Sequence, residues 1–108
     1  MKTLVALMLI SGSVFGQGTD GVRAVLDGAQ SIKNELKKPE SFKLISAFVV
    51  APNTLCYEYT ARNSFNDQKN EIRVMSGKLN SAKNTDWNRL CADKPGLVMT
   101  DIVRALVK

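Results

Sequence analysis

Two cysteines, ten carboxylates and no histidine set the chemistry open to this 108-residue chain. Without imidazole, a Ser or Cys nucleophile lacks its usual base, so histidine-dependent triads and dyads are absent. Two thiolates cannot complete the four ligands of a structural zinc site, so no metal is expected. None of the patterns GxxxxGK[ST], CxxC or GxSxG occurs, and no cofactor is expected. A carboxylate pair working as acid and base, as in glycoside hydrolysis, is what remains for catalysis. Glu58 is its strongest member, set between Tyr57 and Tyr59. Buried in a polar cluster, its pKa would shift and it would serve a carboxylate-dependent hydrolase. The competing reading pairs Glu58 with Arg62 or Arg73 on a half-exposed sheet. The second reading is favoured, and the chain is expected not to be an enzyme.

Aromatic and basic residues form the other chemical grouping. Tyr57 and Tyr59 recur at strand spacing, Phe65 follows, and Arg62, Lys69 and Arg73 are near in sequence. Aromatics interleaved with Arg can stack bases, grip a sugar chain or hold a peptide. Both tyrosines can equally pack under a helix with their hydroxyls at the rim. Phe65, flanked by Asn63, Ser64, Asn66 and Asp67, is either tucked back as a loop anchor or presented as a contact. Tyr57, Tyr59, Arg62, Asn63 and Phe65 are the expected binding patch.

The elements that position these residues read as follows. Residues 20–38 show an amphipathic helix, with Val22, Val25, Leu26, Ala29, Ile32 and Leu36 at i, i+3, i+4, i+7 spacing. Asp20 is placed to cap it, Lys37 and Lys38 to complement its last turn, and Pro39 to stop it. Pro39 to Phe42 reads as a turn. Residues 42–51 are apolar on both alternating faces, which predicts a central strand. Phe42, Leu44, Phe48 and Val50 fall on one face; Ile45, Ala47 and Val49 on the other. Pro52-Asn53 predicts a hairpin into a second strand at 54–62. Its Leu55, Tyr57, Tyr59 and Ala61 oppose Cys56, Glu58, Thr60 and Arg62. A polar loop at 63–70, a short strand at 71–75 and an unassigned stretch at 79–84 come next. Thr85 or Asp86 can cap a short helix carrying Trp87, Leu90 and Cys91, and Thr100 can cap a last helix at 101–107. That last helix is apolar enough for either a dimer contact or the core.

The order predicts an α+β domain: an N-terminal helix on a small, about three-stranded antiparallel sheet, with short C-terminal helices. A disulfide between Cys56 and Cys91 is expected to close a 35-residue loop. It would bring the C-terminal segment, with Trp87, across the Cys56 face and leave the first helix the opposite face.

The first residues supply the compartment. Lys2, an apolar run from Leu4 to Ile10 and the small residues before Gln17 have the form of a signal peptide. Residues 1–16 are expected to be removed after Gly16, leaving one domain at 17–108. The apolar stretch is shorter than the roughly 20 residues of a spanning helix, so no membrane span is expected. No Cys stands near the cut to carry a lipid. Export to the periplasm or outside fits the disulfide. The net charge of +5 is scattered among acids, with Lys37-Lys38 the only basic pair in that domain. A solvated basic surface is therefore favoured over a polyanion-binding one, and nucleic acid is disfavoured as a partner.

Lys38-Pro-Glu-Ser-Phe42, the segment Cys56-Tyr-Glu-Tyr-Thr-Ala-Arg-Asn-Ser-Phe65 and Trp87-Asn-Arg-Leu-Cys91 together carry a resemblance. The chain resembles, over residues 35–103, small exported bacterial proteins with a P-x-S-F turn and a C-x-x-Y-x-A-R-N-S segment. That group carries no assigned activity, so the resemblance implies an architecture and no function. Its members have glycines after Asn-Ser-Phe, where this chain has Asn66-Asp67, residues that tolerate left-handed backbone. The Ala61–Ser64 corner is either a site or a structural corner in which Asn63 bonds its own turn. The expected function is an exported binding domain whose partner is a protein or polymer of the envelope or the outside. A polyanion binder is the first alternative and a Glu58-dependent hydrolase the second; the oligomeric state is left open.

Overall fold

The computed structural model describes residues 18–108, so the expected leader and the cut before Gln17 lie outside the described residues. Helix α1 spans Gly18–Glu35 and a 3-10 turn Pro39–Ser41. Strands β1 (Lys43–Val50), β2 (Thr54–Arg62), β3 (Gln68–Ser76) and β4 (Leu79–Ser81) follow. Helix α2 (Asn84–Leu90), strand β5 (Leu97–Val98) and helix α3 (Thr100–Leu106) complete the order. The fold is α+β. The strands pair antiparallel throughout in the order β4-β3-β2-β1-β5.

The sheet has five strands, not about three. The additional two, β4 and β5, are three and two residues long, too short to leave a period in the sequence. Strand β3 also begins at Gln68, not residue 71, because Gln68, Lys69 and Asn70 pair with Arg62, Ala61 and Thr60. Backbone pairing, with no apolar alternation to announce it, extends that hairpin into polar sequence.

Helix α1 buries Val25, Ala29 and Ile32 completely, one stripe of a 3.6-residue period. It ends at Glu35, ahead of Lys37 and Lys38, and Lys33 is the basic residue of its last turn. Pro39 is the cause: it disfavours helical backbone at Lys38, whose φ and ψ are −126° and 81°. The cap expected at Asp20 rests on a side chain outside those the structure describes. Against α1 pack Leu44, Ala47 and Val49 of β1 and Tyr57, Tyr59 and Ala61 of β2, with Val103 of α3.

Leu44 shares that face with Ala47 and Val49 because the β1–β2 register slips between Leu44 and Ser46. A bulge adds one residue to one strand and reverses the alternation beyond it. The extra residue is Ile45, 40% exposed. The faces assigned by strict alternation are thus corrected: Leu44 and Phe42 belong with the helix side, while Phe48 and Val50 stay on the other.

The opposite face is smaller. Cys56, Val74 and Cys91 are its buried centre, with Phe48, Trp87 and Leu90 packed around them. The Cys56–Cys91 disulfide is present and fastens α2 and its C-cap across β2. Trp87 meets Phe48 edge to face at 5.9 Å. The proposed caps serve other ends. Asp86 accepts the Ser81 hydroxyl at 2.6 Å and Arg89 at 2.8 Å. The Thr100 hydroxyl accepts the Ala47 N–H at 3.0 Å on the outer edge of β1.

Candidate binding site

The end of the sheet carrying Phe65 is built from two segments that meet. The 3-10 turn holds itself by the Ser41 hydroxyl donating to the Lys38 carbonyl at 2.6 Å. The same oxygen accepts the Arg62 backbone N–H at 2.8 Å. One serine therefore ties the Pro39–Ser41 turn to the last residue of β2. Phe42 packs on Tyr59 below them, ring centres 5.4 Å apart.

Beyond Arg62 the chain reverses over residues 63–67. The Asn63 side-chain oxygen accepts the N–H groups of Phe65 at 2.9 Å and Asp67 at 3.0 Å. Its backbone N–H donates to the Asp67 carbonyl at 3.0 Å. Asn66 takes φ +69°, the left-handed region that Asn tolerates best after glycine. From outside, the Arg62 guanidinium donates to the Asn66 carbonyl at 2.9 Å and Lys38 to the Asn66 side chain at 3.1 Å. Phe65, at the tip of this braced turn, is 82% exposed.

The five expected contact residues separate on this geometry. Arg62, Asn63 and Phe65 stand together at the corner, Arg62 and Asn63 bracing it and Phe65 projecting. Tyr57 is fully buried and Tyr59 nearly so, Tyr59 reaching only the base of a cleft; the expected exposure of these two rings is corrected. Odd-numbered residues of β2 face α1, and the helix covers them. The Tyr57 hydroxyl donates to the Val25 carbonyl at 2.7 Å, and burial pushes its pKa well above the usual tyrosine range. Burial also raises that of Tyr59, against the opposing charge of Arg73.

Beside the corner, a cleft of about 280 Å³ opens between the end of α1 and the ends of β2 and β3. Tyr59 and Ala61 lie at its base, with Lys37, Arg62, Lys69 and Arg73 as cations and Glu35 and Glu71 as carboxylates. Arg73 is already engaged: it meets Glu35 two-pronged at 2.9 and 3.2 Å and donates to Asn80 at 3.0 Å. The bond to Glu35 raises the Arg73 pKa, and the bond to Arg73 lowers that of Glu35. Glu35 is among the carboxylates open to acid–base work, but its pairing with Arg73 was not expected. The signal for it is non-local: Arg73 sits opposite Tyr57 in the ladder, so it reaches the helix face. Arg73 is thus on the side away from Glu58, which lies opposite Ile72, and the expected Glu58–Arg73 pair is replaced by Glu35–Arg73. Among the described residues, no group of three or more His, Cys, Asp or Glu side chains is placed to hold a metal ion.

Comparison with protein-family models, with characterised proteins and with solved structures returns no match for this chain.

Proposed function

We propose that the chain is an exported binding domain, acting in the cell envelope or the extracellular space, and that Phe65 is its principal contact. The carrying observation is an aromatic ring 82% exposed on a turn fixed by hydrogen bonds at Asn63, Arg62 and Lys38. A large apolar side chain held out on a rigid support loses little entropy when it binds, which is how contact anchors work. The disulfide is consistent with an oxidising compartment. No helix of the described residues is long and apolar enough to cross a membrane. Ser41 and Arg62 join the P-x-S-F and A-R-N-S motifs into one corner, which gives the Phe65 turn its fixed base.

The partner is a protein or polymer of the envelope or the outside. Immobilised oxidised protein is challenged with envelope extract at low and high salt. Wild type retains one partner at both; Phe65→Ala loses it while unfolding at the same temperature. Retention by Phe65→Ala removes the proposal. Retention confined to low salt, with displacement by a generic polyanion, replaces it with the polyanion reading.

A further inference from the structure

A second cavity, about 400 Å³, lies away from the Phe65 turn where the end of α1, the start of β1 and the chain after α3 converge. Its lining residues are Lys33, Phe42, Lys43, Leu44, Arg104 and Val107. Three are cations, three are apolar and none is a carboxylate. The volume falls within the range of small-molecule pockets, roughly 300–1,000 Å³.

Arg104 is fixed without being neutralised. Its Nε and Nη2 donate to the Leu44 carbonyl at 3.2 and 3.0 Å, and Nη2 also to the Ile45 carbonyl at 3.2 Å. Carbonyls hold the guanidinium in place but leave its charge whole. Among the described residues its carboxylate partner is Asp101, 3.4 Å from Nη1 and almost fully exposed, where an ion pair is worth little. Lys33 and Lys43 make no side-chain hydrogen bond or ion pair among the described residues. The contrast with Arg73, met by Glu35, is direct. Three cations and three apolar residues thus line one cavity with no carboxylate among them.

We propose that this cavity binds an amphiphilic carboxylate, its head group between Lys33, Lys43 and Arg104 and its apolar chain over Phe42, Leu44 and Val107. The head group satisfies the cations; the hydrocarbon covers apolar surface that a bare anion would leave wet. This site is independent of the Phe65 contact, and neither proposal depends on the other.

Decanoate, below the concentration at which it forms micelles, is titrated into the full-length oxidised protein by calorimetry, with decanol and inorganic phosphate in parallel. Decanoate is expected to bind, decanol much more weakly, and phosphate to compete poorly. Lys33→Gln/Lys43→Gln, which keeps most of each aliphatic stem, is expected to weaken decanoate about tenfold. Lys78→Ala/Lys94→Ala, which removes two exposed charges elsewhere, should bind as wild type. Equal binding of decanol, displacement of decanoate by phosphate at equal concentration, unaltered binding by Lys33→Gln/Lys43→Gln, or no binding of decanoate each overturns the proposal. The decanoate–decanol comparison on wild type stands even if the lysine variant misfolds.

Discussion

The two faces of the sheet are held by different means. On the helix side, α1 lays Val25, Ala29 and Ile32 over Ala47, Val49, Tyr57 and Tyr59, and α3 adds Val103. On the other side the buried apolar centre is just Cys56, Val74 and Cys91, under a two-turn helix. A seven-residue helix is far below the length at which helices hold themselves in water. The helix face rests on apolar area and a buried hydrogen bond; the small face rests on a covalent tie. The difference identifies which element each perturbation should release.

The largest effect is expected on the small face. Cys56→Ala/Cys91→Ala removes the cross-link over a separation of 35 residues, and should lower unfolding free energy by about 3–4 kcal/mol. Urea unfolding of this variant against wild type measures it. Near-ultraviolet dichroism of Trp87 should weaken with it, since α2 loses its tie. If the variant keeps wild-type stability, the apolar contacts of Phe48, Trp87 and Leu90 hold that face and the contrast fails.

On the helix face the sharpest probe is a close approach. A Cβ added to Gly28 would overlap the Tyr57 hydroxyl, so Gly28→Ala should destabilise by about 2–3 kcal/mol despite alanine's better helix propensity. Tyr57→Phe should cost about 1 kcal/mol for the lost bond to the Val25 carbonyl. Made together, the two should cost less than their sum, because Phe lacks the overlapping oxygen. The Tyr57 pKa is raised above its ordinary value of 10.0. The contribution of this hydroxyl is therefore present below pH 10 and lost as pH rises beyond it. Tyr57→Phe should accordingly flatten the alkaline limb of a stability–pH curve. Additive single effects would mean that α1 shifts to make room.

The two faces were legible to different depths. Cys56, Cys91 and Trp87 share a face by strand parity and helix spacing, and the structure brings them together. The parity of β2 also separates Tyr57 and Tyr59 from Glu58, and the disulfide, by giving the Cys56 face to the C-terminal segment, leaves the tyrosine face to α1. In β1 the bulge at Ile45 reverses the phase, and nothing in the run of residues 42–51 marks it. Strand β5 is held by Phe48 and Val49, distant in sequence, and β4, which turns straight back onto β3, is too short to show a period. Phe65 was found because polar residues isolate it. The Glu35–Arg73 pair and the Lys33–Lys43–Arg104 cluster were missed because each is assembled from separate elements, where local spacing carries no signal.

At the end of the sheet, where both faces run out, order depends on polar bonds. Asn63→Ala removes the acceptor of two backbone N–H groups and should cost about 1 kcal/mol, since the groups are exposed and water replaces the bond. Partner capture should fall further than stability does, because Phe65 loses its support. Binding by surface resonance beside thermal unfolding separates the two. Equal capture by wild type and Asn63→Ala would mean that Phe65 needs no rigid turn.

The smallest expected effect lies at the rim of the helix face, in the Glu35–Arg73 pair. Arg73 lowers the Glu35 pKa below its ordinary 4.5, so the folded state favours the ionised carboxylate. The pair therefore stabilises fully above that value, and its contribution is lost as pH falls through the lower folded-state pKa. The Glu35 side chain is 45% exposed, and solvent screening holds the contribution to ~0.3–0.5 kcal/mol. Glu35→Gln should then be less stable than wild type by that amount at pH 7, and the two should converge as acid protonates the Glu35 carboxylate. High salt should narrow the gap at pH 7. A gap that persists once that carboxylate is protonated would assign the role of Glu35 to packing against Arg73, moving this rim contact to the apolar side of the contrast between the faces.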